Sequence, residues 1–531
     1  MKVKKQTFLK GALILLVTNL IVKVVGAGFK IPLARIIGPE GMGLFNTAYN
    51  IYAGLFVIAT AGLPVAVSKM VSESMAKDNP REARRIFRIA FVLLGVLGLA
   101  GSVSLYYGAE WLAAAVGDSL ATNGIRVIAP AVFLVSMVSA FRGFFQGNGN
   151  MTPTAVSELA EAGGKMAAGL IFAMMFINSG IEAAATGAIQ GVTVGTLLAF
   201  LVMAFIYLSN KKHFNEFILK SNNKKTTSAR KLTGTMLAIA VPITIGASVS
   251  SLTNLIDMAM LRTRLQDIGF SVTHARMLYG AYSGYAVTMF NMPVAILTAL
   301  SMSVVPAVAG ALAVKNYDDA KRNVVSSVRI SMLFSMPCAV GLSVLASPVL
   351  SILFNDTFSA DMLSVLAYSV VFVSAVSVTT AILQAAGKVY IPVVNMLIGG
   401  VVKIAVNYVL VGNPEINING APISTNACYA IIAVLNLIAV ARVTGVKYDY
   451  PGSFIKPAVA AAGMGAAVVL IYGQLTRITD SRSILLLLSI SAGVVVYLGI
   501  LVALGGLDKS DLMMVPKGDK IVNLLQKLKM M

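Results

Sequence analysis

The chain has 531 residues, of which 57% are hydrophobic and only 12% are charged. A soluble protein of this length needs far more charge to cover its surface, so that class is excluded. The net charge of +20 would favour a nucleic-acid partner in a soluble protein, but most of the charge lies in alternate loops, which argues against one. The composition instead predicts an all-α, multi-pass membrane protein.

Fourteen apolar segments, each suited to a hydrocarbon core about 30 Å thick, recur along the chain. They are predicted at 7–37, 44–68, 86–108, 123–145, 154–177, 182–209, 233–262, 276–308, 323–346, 360–384, 391–412, 421–444, 454–473 and 483–505. The loops near 109–122, 178–182, 346–360 and 413–420 hold no Lys or Arg, whereas the loops after the second and sixth segments and the C-terminal tail are basic. The positive-inside rule therefore predicts a cytoplasmic-membrane protein with both termini in the cytoplasm.

The two halves of the sequence resemble one another at an offset of 237 or 238 positions. V-S-M-V-S at Val135–Ser139 corresponds to V-S-A-V-S at Val373–Ser377, and Gly43 corresponds to Gly280. Because each copy contains an even number of spans, we predict two six-helix repeats of the same orientation. Parallel repeats are typical of transporters in which two lobes rock about a shared central site.

The repeat predicts three regions of the chain. An N-lobe with spans one to six occupies 1–222, and a C-lobe with spans seven to twelve occupies 223–450 after a basic cytoplasmic linker. Two additional spans and a cytoplasmic tail occupy 451–531. The basic linker is expected to contact anionic membrane lipids or an acidic partner.

Three basic residues, Lys23, Lys30 and Arg35, lie within the first span, where ionisable groups are costly and are therefore candidate functional groups. Pro32 and Gly28 interrupt this span, so we expect a helix that bends and carries cations toward the membrane interior. Lys23 is expected to line a cavity. For Lys30 and Arg35 the alternative is that the side chain extends to the outer headgroups.

Lys165 and Lys403 occupy equivalent positions in the two repeats, each near the middle of its span. We expect both to line a cavity, although Lys165 has an alternative partner in Glu161 one helical turn before it. Lys403 has the alternative of a carbonyl or carboxylate on a neighbouring helix. Arg262, near the outer end of the seventh span, is a further candidate for substrate binding, with an outer gate or a surface ion cluster as the alternatives.

The basic residues at membrane depth predict an anionic substrate such as a phosphate, because a cationic cavity with low-dielectric walls attracts anions. The sequence shows no P-loop, no metal-binding cluster and no His- or Cys-centred nucleophile, so we expect no catalytic residues, metal or cofactor. The glycine-rich run G-P-E-G-M-G at Gly38–Gly43 lies between two spans and predicts a tight turn.

Three motifs resemble a known family. They are K-Q-T-F-L-K-G at Lys5–Gly11, G-L-P-V-A-V-S-K at Gly62–Lys69 and R-G-F-F-Q-G-N-G-N-M-T-P at Arg142–Pro153. Together they are similar to the stage V sporulation protein B family of the multidrug/oligosaccharidyl-lipid/polysaccharide exporter superfamily. The resemblance implies two six-helix lobes with a final helix pair, and transport of undecaprenyl-linked sugar intermediates for cell-wall or spore-cortex peptidoglycan.

The first span also resembles that of the lipid II flippase family. K-V-V-G at Lys23–Gly26 and A-R-I-I-G at Ala34–Gly38 are similar to its basic-x-x-Gly and Ala-Arg-x-x-Gly patterns. The resemblance implies that Lys23 and Arg35 line a cationic cavity, and that the last two spans form a groove for a lipid tail. That family's second basic residue falls at Phe29 here, with Lys30 adjacent.

These observations predict a flippase that moves a lipid-linked sugar diphosphate by alternating access, with anionic lipids and wall-synthesis enzymes as further partners. One alternative is a drug/cation antiporter of the multidrug and toxin extrusion type, which would require an acidic residue in a mid-membrane cavity. The other is a non-transporting scaffold for wall synthesis, which would tolerate neutralisation of every membrane-depth base.

Overall fold

The computed structural model describes residues 8–220, 227–302, 304, 308, 316–477 and 481–506, and their regular structure is helical. The α-helices in these ranges are α1 Phe8–Thr60, α2 Gly62–Ala76, α3 Pro80–Tyr107, α4 Ala109–Ala115, α5 Thr122–Gly147, α6 Thr152–Phe176, α7 Ile181–Lys220, α8 Ala229–Asp267, α9 Val272–Gly280, α10 Val287–Met302, α11 Tyr317–Val344, α12 Ala346–Phe354, α13 Ala360–Leu366, α14 Ser369–Ala385, α15 Tyr390–Val411, α16 Gly420–Thr444, α17 Lys456–Leu475 and α18 Arg482–Ala503. Four parts of the predictions lie outside the described residues: the start of the first motif at 5–7, the linker centre at 221–226, positions 303 and 305–307 of the eighth span and the tail after 506.

Eleven helical segments in the described residues are long and apolar enough to cross a membrane. The first of them, Leu13–Ala76, spans 64 residues, and the last is Arg482–Ala503. The all-α, multi-pass membrane fold expected from the composition is therefore confirmed. The count of fourteen spans stays a prediction.

Helix α1 contains the turn that the glycine-rich run predicts, but the turn is a single residue long. Gly38 has φ +64° and ψ −174°, a conformation that L side chains rarely adopt, and it separates two helical halves. Pro39 follows at once, and its fixed φ suits the first turn of a helix. Gly41 and Gly43 are therefore helical rather than part of a loop.

Contacts between Cα atoms divide the chain into two compact units, Met1–Gly284 and Tyr285–Met531. We call them the N-terminal and C-terminal units. The predicted lobe boundaries at 222 and 450 stay predictions.

In the N-terminal unit, helices α6 and α7 pack closely through glycines. Gly187, Gly191 and Gly195 recur at every fourth position of α7 and so lie on one face. A Cβ on Gly195 would lie 2.5 Å from the carbonyl oxygen of Glu161 and 2.7 Å from the amide nitrogen of Lys165. Small residues permit this close approach, and they hold the Lys165 backbone tightly against α7.

The C-terminal unit is built by the packing of α11 on α14 and α17, of α15 on α16, and of α17 on α18. The Tyr497 hydroxyl of α18 donates to the Leu333 carbonyl of α11 over 2.7 Å. This hydrogen bond ties the last helix to the bundle.

Candidate functional site

The candidate site lies in the N-terminal unit, where Lys165 of α6 packs against aromatic rings of α1. Its Nζ lies 4.1 Å from the ring centroid of Tyr49 and 5.6 Å from that of Phe29. Both distances are within the range of cation–π attraction. Lys30 lies close enough to interact electrostatically with Lys165. We call Phe29, Lys30, Tyr49 and Lys165 the Lys165 site.

The break at Gly38 brings the two aromatic residues of the site together. Phe29 lies before the break, and its ring contacts that of Phe45, after the break, edge to face at 5.7 Å. Phe45 in turn stacks on Tyr49 at 5.9 Å, one helical turn further on. A Cβ on Gly169 would lie 2.8 Å from the Phe29 ring, so this glycine provides the space that α6 leaves for Phe29.

Glu161, the alternative partner considered for Lys165, is paired with a different cation. Its Oε2 accepts from Arg142 of α5 over 2.9 Å, and the Nε of Arg142 donates to the Ser157 hydroxyl over 3.1 Å. Within the ranges that the structure describes, neither Lys165 nor Lys30 forms an ion pair with a carboxylate. The alternative Glu161–Lys165 pair is not formed in this structure, since Arg142 binds the carboxylate, and the role of Lys165 in a cavity stays a prediction.

Two further basic candidates of α1, Lys23 and Arg35, are not among the residues of this cluster. Lys23 and Arg35 are both exposed, Lys23 before and Arg35 after Lys30 along the first half of α1. An exposed cation on a membrane helix fits a water-filled cavity as well as a headgroup, so their part in substrate binding stays a prediction.

Arg262 is one of four charged residues in a second cluster of the N-terminal unit, in which each arginine is ion-paired with a carboxylate. Its side chain is 0% exposed, and it donates to Asp118 and, over 2.8 Å, to the Thr47 hydroxyl. The Nε and NH2 groups of Arg276 donate to the two oxygens of Asp118 over 2.8 and 2.7 Å, and its NH1 donates to Glu40 over 2.8 Å. We call Glu40, Asp118, Arg262 and Arg276 the Asp118 network.

Sequence reasoning missed three of these four residues. Glu40 and Asp118 lie in short segments between predicted spans, and Arg276 lies at the predicted start of one, where a charge is unremarkable. All four fall where the topology predicts the outer side of the membrane. The contacts of Arg262 are those of a structural ion network, and its role in substrate binding stays a prediction.

Asp118 lies in the loop between α4 and α5, where opposing effects act on its ionisation. Burial raises the pKa of the carboxyl group, but hydrogen bonds from Arg276 and the positive charge of Arg262 outweigh burial and lower the pKa from its usual value. Asp118 therefore remains ionised between the two arginines.

Residues that are equivalent in the two repeats meet beside this network. A Cβ on Gly280 would lie 2.6 Å from the amide nitrogen of Gly43, so the backbones of α1 and α9 touch at this pair. Asn46 donates to the Ser283 hydroxyl over 3.1 Å, and these two residues are also 237 positions apart. Contact between equivalent positions is expected where a pseudo-twofold axis passes, which supports the offset found in the sequence.

Lys403 lies in the C-terminal unit, on α15, and is 9% exposed. It shares the buried face of that helix with Asn395, Gly399 and Asn407, at a spacing of four residues. Asn395 donates over 2.8 Å to Asn436 of α16, so this face is polar as well as buried. Among the described residues, no group of three His, Cys, Asp or Glu side chains could hold a metal ion.

A multi-pass helical bundle with cations at membrane depth and internal repeats defines the class of polytopic membrane transporters. The family model described as polysaccharide biosynthesis protein matches residues 8–313, and that described as MatE matches residues 281–409. The chain belongs to the polysaccharide biosynthesis protein family, and the predicted resemblance to the stage V sporulation protein B family is confirmed.

Two relatives from Bacillus subtilis (strain 168) are similar over most of their length. Stage V sporulation protein B is 27% identical over 442 residues, covering 83% of this chain and 84% of that protein. Lipid II flippase MurJ is 25% identical over 459 residues, with the same shares.

Two solved structures share the fold at 15% identity. The inward closed conformation of lipid II flippase MurJ has a TM-score of 0.70 and covers 91% of this chain and 97% of that one. An inward-facing multidrug resistance MATE family transporter of the MOP superfamily has a TM-score of 0.66, covering 81% and 98%.

Proposed function

We propose that the protein is a flippase that carries undecaprenyl-diphosphate-linked sugar intermediates across the cytoplasmic membrane by alternating access. The observation that carries this proposal is the Lys165 site, in which two neighbouring ammonium groups have no carboxylate ion pair within the described residues. A diphosphate would neutralise both cations. The similarity to a protein named lipid II flippase supports the same substrate class.

The physical reason is the cost of an uncompensated charge in a membrane. Lysines at membrane depth are costly unless they are paired, reach water or bind a ligand. Tyr49 and Phe29 provide partial compensation through their ring faces, but a cation–π contact is weaker than a charge-assisted hydrogen bond to phosphate. The site is therefore suited to an anion that arrives and leaves.

The remaining basic candidates have further roles in headgroup binding and in gating. Lys23 and Arg35 guide the headgroup along α1. Lys403, on the buried polar face of α15, is a separate candidate for headgroup binding within the C-terminal unit. Arg262 acts through the Asp118 network, which closes the outer side while the cytoplasmic side is open. No covalent chemistry is required, because rocking of the lobes changes only which side the site faces.

The lipid tail and the membrane surface complete the proposal. The polyprenyl tail stays in lipid beside α17 and α18, where Leu470, Leu487 and Val495 are exposed. The termini are cytoplasmic, and the basic linker contacts anionic lipids or wall-synthesis enzymes there.

A flipping assay in proteoliposomes with a fluorescent lipid-linked sugar diphosphate tests this function. We expect Lys165→Ala and Lys23→Ala to lose flipping, and Lys69→Ala, which removes an exposed lysine, to retain it. Full activity of both Lys165→Ala and Lys23→Ala would refute the proposal that these lysines bind the headgroup. Export of cationic drugs instead of the lipid would favour the antiporter, and a protein that restores wall synthesis without moving any substrate would favour the scaffold.

A further inference from the structure

Glu161 is bound by Arg142, although a second cation, Lys165, lies one helical turn further along the same helix. Its carboxylate is bound by Arg142 of α5, with the Arg142 side chain 12% and the Glu161 side chain 22% exposed. Lys165 follows Glu161 by four residues on α6. A Glu four residues before a Lys is the favourable order for an ion pair on a helix, so Lys165 is a second natural partner.

The backbone around Glu161 and Lys165 is closely packed, so an exchange of partners would involve the Glu161 side chain. Gly195 of α7 packs against the Glu161 carbonyl and the Lys165 amide, which holds this turn of α6 in place. Arg142 is also anchored to α6 by its hydrogen bond to the Ser157 hydroxyl over 3.1 Å. A rotamer change of the Glu161 side chain is the movement by which Glu161 would exchange its partner.

A second carboxylate is available to Arg142 if Glu161 leaves. Glu158 interacts electrostatically with both Arg142 and Glu161. Its Oε2 is buried and accepts no hydrogen bond among the described residues. Glu158 and Glu161 therefore both lie near Arg142, while only Glu161 is ion-paired with it in the observed arrangement.

We propose, on the basis of the function proposed above, that Glu161 is the counter-ion that expels the anionic headgroup from Lys165. Arg142 is the positioning residue: it holds Glu161 away, so Lys165 is open to a diphosphate. When Glu161 turns to Lys165, it competes with the diphosphate for the same ammonium group, and Glu158 neutralises Arg142. The ligand class is a diphosphate ester, and inorganic pyrophosphate is its minimal probe.

The proposed exchange predicts opposite changes in KM when Arg142 or Glu161 is replaced. Arg142→Gln frees Glu161 to occupy Lys165, and we expect the KM for the lipid-linked substrate to rise about tenfold, the cost of one charged hydrogen bond. Glu161→Gln removes the competitor, so the KM should fall and kcat should also fall, because release is slowed. The double variant Arg142→Gln/Glu161→Gln should bind the substrate as tightly as Glu161→Gln alone. Arg142→Lys keeps the charge but loses the Nε–H bond to Ser157, so its KM should lie between those of the unchanged protein and Arg142→Gln.

A purely structural ion pair would give a different pattern. The double variant would then be no better than Arg142→Gln, and that result, or a wild-type KM for Arg142→Gln, overturns the proposal. If Arg142→Gln fails to fold, Glu161→Gln decides: unchanged KM and kcat overturn the exchange. The affinity of the purified variants for inorganic pyrophosphate is measured as well, because this binding test does not depend on flipping. A chain that flips no lipid but shows the same order of pyrophosphate affinities defeats the proposed function and leaves the exchange standing.

Discussion

The Lys165 site and the Asp118 network each contain two cations of the N-terminal unit, but the two regions differ in how these charges are compensated. In the Asp118 network, Arg262 and Arg276 share one buried carboxylate, and Glu40 completes the pairing. In the Lys165 site, the ammonium of Lys165 faces aromatic rings. Paired cations hold a structure together, whereas cations without a carboxylate keep their capacity for a ligand.

The residue types agree with this division. The planar guanidinium of Arg276 places two parallel hydrogen bonds on Asp118, a geometry that fixes orientation as well as charge. A lysine ammonium is a point charge on a flexible stem, and it can exchange one oxygen ligand for another with little reorganisation. The Arg276–Asp118 pair is therefore suited to a stable structural contact, and the lysine ammonium is suited to transient binding of a ligand.

The largest effect is expected from breaking the Asp118 network. Asp118→Asn leaves two buried arginines without their shared charge, and removing one partner of a buried ion pair costs about 3–5 kcal/mol. The thermal midpoint in detergent should therefore fall strongly. Glu110→Gln, which alters the exposed pair with Arg126, is the matched control and should change the midpoint little. An unchanged midpoint for Asp118→Asn would contradict the structural role.

Replacing Lys165 should separate function from stability. Lys165→Met keeps the length of the side chain and removes a charge that has no carboxylate partner among the described residues. We expect flipping to fall by at least about tenfold while the thermal midpoint stays equal or rises. Arg262→Met is the counterpart in the Asp118 network and should lower the midpoint. A loss of stability in both variants would abolish the distinction between the two regions.

A smaller effect is expected from the helix packing that holds Lys165. A Cβ on Gly191 of α7 would collide with the backbone of Gly169, so Gly191→Ala should cost about 1–3 kcal/mol through overpacking and should also reduce flipping. Gly163→Ala is the matched control on α6, because nothing lies within 4 Å of the position its Cβ would take. Equal flipping by the two variants would show that close packing of α6 on α7 is not needed to position Lys165.

The last prediction concerns pH: the difference in thermal midpoint between the unchanged protein and Asp118→Asn should be smallest in acid. The pKa of Asp118 is lower in the folded protein than in the unfolded chain, so its contribution to stability is complete above the usual aspartate pKa and is lost as the pH falls through the lowered value. The thermal midpoints of the unchanged protein and Asp118→Asn should therefore differ most at neutral pH and converge below about pH 4. A difference that stays constant with pH would rule out this titration.

Several features of the site were predictable because they depend on local sequence. The Gly38 turn follows from a glycine next to a proline, and Lys165 stood out because a cation in an apolar segment is costly. The counter-ions were not predictable in this way. Glu161 was considered as a partner for Lys165 from their spacing, yet Arg142, 19 positions away, binds it.

The amino-acid sequence alone determined the membrane class, the internal repeat and the basic residues at membrane depth, because apolar length and charge are properties of single segments. Only the tertiary structure decided which charges are compensated. Asp118 meets Arg262 and Arg276 across 144 and 158 positions of chain, and no local pattern encodes such a contact. In a low-dielectric interior the free energy of a charge depends on its nearest partner, and helix packing determines which partner that is.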